Sequence, residues 1–202
     1  MSIRDSVLEA DSVSRTIVRA ELLPGASAGT EVRLRTDAGR FAEATAASPR
    51  ELTVKPNSRV VEATYVAPQR FGIATISVDV AGYIRRGEIR LVPARPASIV
   101  LNADKLVARA NGTESIVFTA RLLRPETRGA VSLGTRVDFV ARDSTGQEIG
   151  RLRGATSVES ASGTASYTLV TTVPQALSLQ AVVGGDAGGV ASPPLTVRFI
   201  AP

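Results

Sequence analysis

The sequence predicts an all-β protein made of two tandem β-sandwiches. Three observations carry that prediction. Short apolar and polar residues alternate with a period of two, turn-forming residues punctuate the alternating runs, and the second half of the chain repeats the first in the same order. The joint between the copies is the stretch Ile89 to Leu101. It reads as a strand, a stiff connection containing Pro93 and Pro96, and a second strand. Proline fixes its own φ and restricts the residue before it, so Pro93-Ala94-Arg95-Pro96 is expected to be extended and stiff. The expected domains are residues 1–94 and 95–202, each a sandwich of about seven strands.

The strands follow from their faces. In Thr16 to Leu22, Val18, Ala20 and Leu22 share one side, and Arg19 and Glu21 the other. In Gly72 to Val80, Ala74, Ile76, Val78 and Val80 oppose Thr75, Ser77 and Asp79. In the second copy, Ile116, Phe118, Ala120 and Leu122 face inward, as do Leu177, Leu179, Ala181 and Val183. One apolar and one polar face is the pattern of an antiparallel strand buried on one side. Pro24-Gly25, Asp37-Ala38-Gly39, Pro56-Asn57, Asn111-Gly112 and Gly184-Gly185 fall between the runs as turns.

The repeat supplies the internal alignment. Val7 to Asp11 matches Val100 to Asp104, and Ala20 to Leu23 matches Ala120 to Leu123. Ala63-Thr64-Tyr65 matches Ala165-Ser166-Tyr167, and Ile89 to Val92 matches Val197 to Ile200. The same alignment places Leu34 and Phe139 at equivalent buried sites. Tyr65 and Tyr167 read as core residues whose hydroxyls need a backbone acceptor or the sandwich end.

Composition narrows the function. The chain has no histidine and no cysteine, which excludes Ser-His-Asp and Cys-His catalysis, thiolate metal sites and disulfides. Aromatics are 4%, with no Trp, so the cores are expected to be Val, Ile, Leu and Ala. No apolar run approaches the ~18 residues of a membrane helix. The net charge is +5, but acidic and basic residues are interleaved, as in Glu31, Arg33, Arg35 and Asp37, which argues against a nucleic-acid track. Glu43 and Glu51 read as exposed loop charges rather than a catalytic pair. Asp11 and Asp104 read as turn-capping residues rather than calcium ligands, and Asn111-Gly112-Thr113 as a turn rather than a glycosylation acceptor. No cofactor or metal is expected.

Pro96 to Leu101 as a first strand, Asn111-Gly112-Thr113 as the following turn, and Ser162-Gly163-Thr164-Ala165 entering a late strand resemble the bacterial immunoglobulin-like domains of the invasin and intimin type. Gly72 to Val78 with Ala81-Gly82 resembles their penultimate strand. The resemblance implies two immunoglobulin-like sandwiches from a larger bacterial cell-surface or secreted protein. It implies a non-catalytic spacer, display stalk or adhesion arm, extracellular, with neighbouring domains of a larger chain as partners. The alternative is a ligand-binding or targeting module for a surface protein or glycan, attached to a secreted enzyme.

Two groups of residues are candidates for contact. Tyr83, Ile84, Arg85 and Arg86 combine aromatic, apolar and guanidinium groups, and are placed in the turn before the first copy's last strand. Phe71, Arg95, Val131 and Leu133 are expected to meet between the two halves, end to end across the proline joint, in an elongated rod.

Overall fold

The computed structural model describes residues 1–22, 29–184 and 189–202. The predicted turn at Pro24-Gly25 and Gly185 of the Gly184-Gly185 turn lie outside these. The chain divides into two compact units, Met1–Ala94 and Arg95–Pro202. Both are all-β; the one helical segment among the described residues is the 3-10 turn Gly150–Leu152.

The first unit contains β1 (Ser2–Ile3), β2 (Val7–Glu9), β3 (Arg15–Glu21), β4 (Val32–Thr36), β5 (Arg40–Phe41), β6 (Glu51–Val54), β7 (Val60–Val66), β8 (Gly72–Val80) and β9 (Tyr83–Val92). They form a four-stranded sheet, β1-β3-β7-β5, and a five-stranded sheet, β2-β9-β8-β4-β6. The second unit contains β10 (Ser98–Ala103), β11 (Val107–Arg109), β12 (Ser115–Leu123), β13 (Arg136–Arg142), β14 (Gly154–Ser157), β15 (Thr164–Val170), β16 (Gln175–Val183), β17 (Val190–Ala191) and β18 (Leu195–Ile200). Its sheets are β10-β12-β15 and β11-β18-β16-β13-β14, with β17 beside β16.

Each unit therefore has more strands than the sequence pattern suggests. One reason is that the first strand of each copy breaks and changes sheets; short added strands, β5 in the first unit and β17 in the second, supply the rest. β1 pairs antiparallel with β3, and then β2 crosses over to run parallel with β9. β10 and β11 repeat the manoeuvre on β12 and β18. Matching hydrogen bonds fix the equivalence. Arg90 donates its N–H to Ser6 O as Arg198 does to Leu106 O, and Ala10 N–H meets Val92 O as Ala110 N–H meets Ile200 O.

This pairing corrects the internal alignment. Val7 to Asp11 corresponds to Val107 to Asn111, not to Val100 to Asp104. A five-residue string with alternating apolar positions fits either half of a broken strand, and the parallel partner decides which. The tyrosine strings are also out of step. Ala20 lies opposite Val61, whereas Ala120 lies opposite Ala165. Tyr167 therefore faces Phe118, and Tyr65 faces Thr16, one inward position further along.

Each unit encloses its own core. Val18, Ala20, Leu34, Phe41, Tyr65, Ile76 and Ile89 are buried in the first, and Ile116, Phe118, Ala120, Phe139, Leu177, Leu179 and Phe199 in the second. Full burial of one such large apolar side chain contributes roughly 1.5–3 kcal/mol. The largest buried side chains are aromatic: Tyr65, Phe41, Phe118, Phe139 and Phe199. The cores are thus not purely aliphatic. Packed sheets stand about 10 Å apart, and a few rings fill that gap where Ala and Val cannot reach.

Candidate functional site

The hairpin β8–β9 organises the strongest candidate. Val80 lies opposite Tyr83, so Ala81-Gly82 is a two-residue turn. Both residues have positive φ, at 52° and 87°, as a type I′ hairpin requires. Asp79 Oδ1 accepts the Gly82 N–H at 2.9 Å and holds the turn closed. This corrects the sequence assignment: Tyr83, Ile84, Arg85 and Arg86 are not in the turn but form the first four positions of β9. All four are exposed, Tyr83 to 84% and Ile84 to 54%, so Tyr83 does not fold over the sandwich end.

The ladder determines where each group points. Arg90 donates its N–H toward β2, so the backbone groups of Ile84, Arg86 and Glu88, at the same parity, face the same edge. β2 covers that edge only from Arg90 to Val92. The edge ahead of Arg90 has no strand beside it among the described residues. Ile84, Arg86, Glu88 and Arg90 project from the outer face of the sheet, and Tyr83, Arg85 and Gly87 from the opposite face. The side-chain ends of Met1 and Ile3 lie over Gly87 on that side, and would have to shift to admit a Cβ. Arg85, Arg86 and Arg90 have no ion-pair partner among the described residues.

A second apolar area lies at the other end of the same sheet. Ile73 and Val7 flank Arg90 on neighbouring strands, and with Phe71, Leu91 and Pro93 they line an open groove. Phe71 is 40% exposed and Ile73 is 63% exposed. The other expected contact residues behave differently. Arg95 is exposed, but Val131 is 2% exposed within the core of its own unit, and Leu133 packs against that core.

The remaining candidates resolve into structural roles. Glu51 is on β6 rather than in a loop, and it pairs with Arg33 at 3.3 Å and Arg35 at 3.1 Å. Glu43 accepts the Thr64 N–H at 3.0 Å. Asp11 caps its turn through Oδ1, which accepts from Val13 N at 3.0 Å and Ser14 N at 2.6 Å. Asn111, the true counterpart of Asp11, does the same for Thr113 N at 3.0 Å and Glu114 N at 2.8 Å. Ser12 and Gly112 hold matching left-handed positions in these turns, with φ of 69° and 75°. Asp104 departs from the expectation: its Oδ1 accepts from Val117 N at 2.8 Å, across to the neighbouring strand. No group of three or more acidic, His or Cys side chains that could hold a metal occurs among the described residues.

Arg90, Glu88, Ile73 and Val7 were missed as members of this surface. The signal present was the alternation Ile84, Arg86, Glu88, Arg90, in which no apolar residue after Ile84 occupies the outer face.

The chain is similar in structure to two solved proteins. The adhesin InvE of Yersinia pseudotuberculosis superposes with a TM-score of 0.64 at 15% identity, over 98% of this chain and 57% of that one. Invasin, a bacterial integrin-binding protein, gives a TM-score of 0.64 at 19% identity, over 100% of this chain and 39% of that one. The fold is the tandem immunoglobulin-like fold of the InvE and invasin type. The chain spans well under two thirds of the length of either protein. No family model matches the chain, and no curated protein matches it in sequence.

Proposed function

We propose that the chain is a non-catalytic module of a bacterial cell-surface or secreted protein, acting outside the cell as a spacer that displays neighbouring domains or as an adhesion arm. The supporting observation is the likeness of both units together, over essentially the whole chain, to InvE, an adhesin, and to invasin, an integrin-binding protein. The site chemistry agrees with a contact role. Tyr83, Ile84, Arg85 and Arg86 offer aromatic, apolar and guanidinium surface on a rigid hairpin, the residue types that dominate protein contacts. With no His or Cys in the chain, and with Glu43 and Glu51 committed to a backbone amide and to arginines, we read the module as lacking a reaction centre.

Display on a non-adherent laboratory bacterium tests this. The chain is fused between an outer-membrane anchor and a terminal epitope. A displayed epitope with adhesion to cultured cells several-fold above the anchor alone supports the adhesion arm, and loss of that gain in Tyr83→Ala/Ile84→Ala assigns it to the hairpin. A displayed epitope with no gain leaves the spacer role. An epitope that antibody cannot reach on intact cells contradicts both.

A further inference from the structure

The last strands of the two units differ in a way that repeat symmetry does not require. β18 has six residues, and β11 pairs with its final three. β9 has ten, and β2 pairs with only its final three. The first unit has therefore extended its last strand well beyond its cover. Sheet edges left open in this way are sites where another chain can add a strand, and proteins that avoid such pairing keep edge strands short, bulged or charged. The charges of β9, Arg85, Arg86 and Glu88, restrict what can pair there to a strand of complementary charge. β9 is long, has no irregularity in its register with β8 from Tyr83 to Leu91, and carries Tyr83 and Ile84 exposed at its tip.

We propose that the β9 edge from Ile84 to Glu88 is a strand-addition site for an extended, acidic segment of a partner protein. The proposal rests on the contact-module reading above and names the mode and the partner's chemistry. The N–H and C=O groups of Ile84, Arg86 and Glu88 face outward and supply the pairing, which is independent of the partner's sequence. Selectivity comes from the side chains. Arg86 on the outer face and Arg85 on the opposite face are unpaired guanidiniums, so carboxylates opposite them on either face of the added strand are favoured. Ile84 calls for a β-branched neighbour. Gly87 accepts only a small neighbour, because Met1 and Ile3 already cover it.

The test uses the full chain and a blocked hexapeptide, Thr-Ala-Glu-Asp-Val-Thr, which places these residue types opposite Glu88 to Tyr83 in an antiparallel strand. Titration into isotopically labelled protein, followed by amide hydrogen exchange, should slow exchange at Ile84, Arg86 and Glu88 at least tenfold and leave β4 unchanged. Arg86→Pro removes the central donor without touching the β8 ladder, since that N–H faces away from β8. It should weaken binding at least tenfold. Arg86→Gln removes the charge but keeps the amide, and should weaken binding less than threefold. A peptide N-methylated at alternate residues should not bind. Absence of binding at millimolar peptide, unprotected Ile84, Arg86 and Glu88 amides, or equal losses in Arg86→Pro and Arg86→Gln would overturn the proposal. If Arg86→Pro abolishes peptide binding but displayed cells still adhere, strand addition stands and adhesion resides elsewhere on the module.

Discussion

Tyr65 and Tyr167 show how two residues of one type solve the same problem from different positions. Tyr65, fully buried, donates to Ala38 O at 3.0 Å, and Tyr167, half-buried against its core, donates to Leu152 O at 3.1 Å, so each phenol has a backbone acceptor. Each ring also leans on a glycine, Gly39 for Tyr65 and Gly154 for Tyr167, where any Cβ would collide with it. Burial, and then the Asp37 charge, push the Tyr65 pKa above its ordinary value of 10.0. Burial pushes Tyr167 the same way. A raised folded-state pKa gives stability that is fully present below the unfolded value and is lost as pH rises past it. The melting temperature should therefore stay level from these groups up to about pH 10 and fall above it. Tyr65→Phe should cost about 0.5–1.5 kcal/mol at neutral pH and flatten the alkaline fall, measured by denaturant unfolding across pH. The cost stays modest because Thr36 Oγ1 still donates to Ala38 O. Gly154→Ala should cost about 1–3 kcal/mol through overpacking against Tyr167, while Gly150→Ala, in open space, should change stability by under about 0.5 kcal/mol. The burial of Tyr65 and the need of both hydroxyls for an acceptor were legible in the sequence, whereas Tyr167 is only half-buried. Their glycine partners were not, because Gly39 and Gly154 are distant in sequence from the rings they support.

At the scale of the element, alternation carried the information. Leu34 and Phe139 are both fully buried, and Arg33 lies half-exposed beside Leu34 in ion pairs with Glu31 and Glu51. Leu34→Ala should cost about 2–5 kcal/mol, the range for truncating a buried Leu. Arg33→Ala should cost about 0.5 kcal/mol, since exposed ion pairs contribute little. Equal losses in urea unfolding would mean that the β4 register is misassigned. Which face of a strand is buried is therefore readable, because a slip of one residue exposes the whole apolar set. A slip of two keeps every residue on its face. That is why Ala63-Thr64-Tyr65 and Ala165-Ser166-Tyr167 look equivalent in sequence yet sit two positions apart in the sheets. The free edge of β9 was illegible for a related reason: an edge is defined by the length of the neighbouring strand, and the break between β1 and β2 leaves no distinct mark in the string Arg4-Asp5-Ser6.

At the scale of the whole molecule, the sequence repeat and the two separate cores describe one arrangement. Each core cluster draws only on residues of its own unit, and the proline-bracketed stretch Pro93 to Pro96 lies at the division between them. We propose on this basis that each unit is an autonomous folding domain, as a chain built to hold neighbouring modules requires. Units of this size bury enough surface to fold alone, though with a modest margin. The most direct measurement is chemical denaturation of the two fragments, residues 1–94 and 95–202, followed by circular dichroism. Each fragment should show a β spectrum and a single cooperative transition. A fragment that is disordered in the absence of the other would contradict the account, because its core would then depend on contacts outside the unit that encloses it.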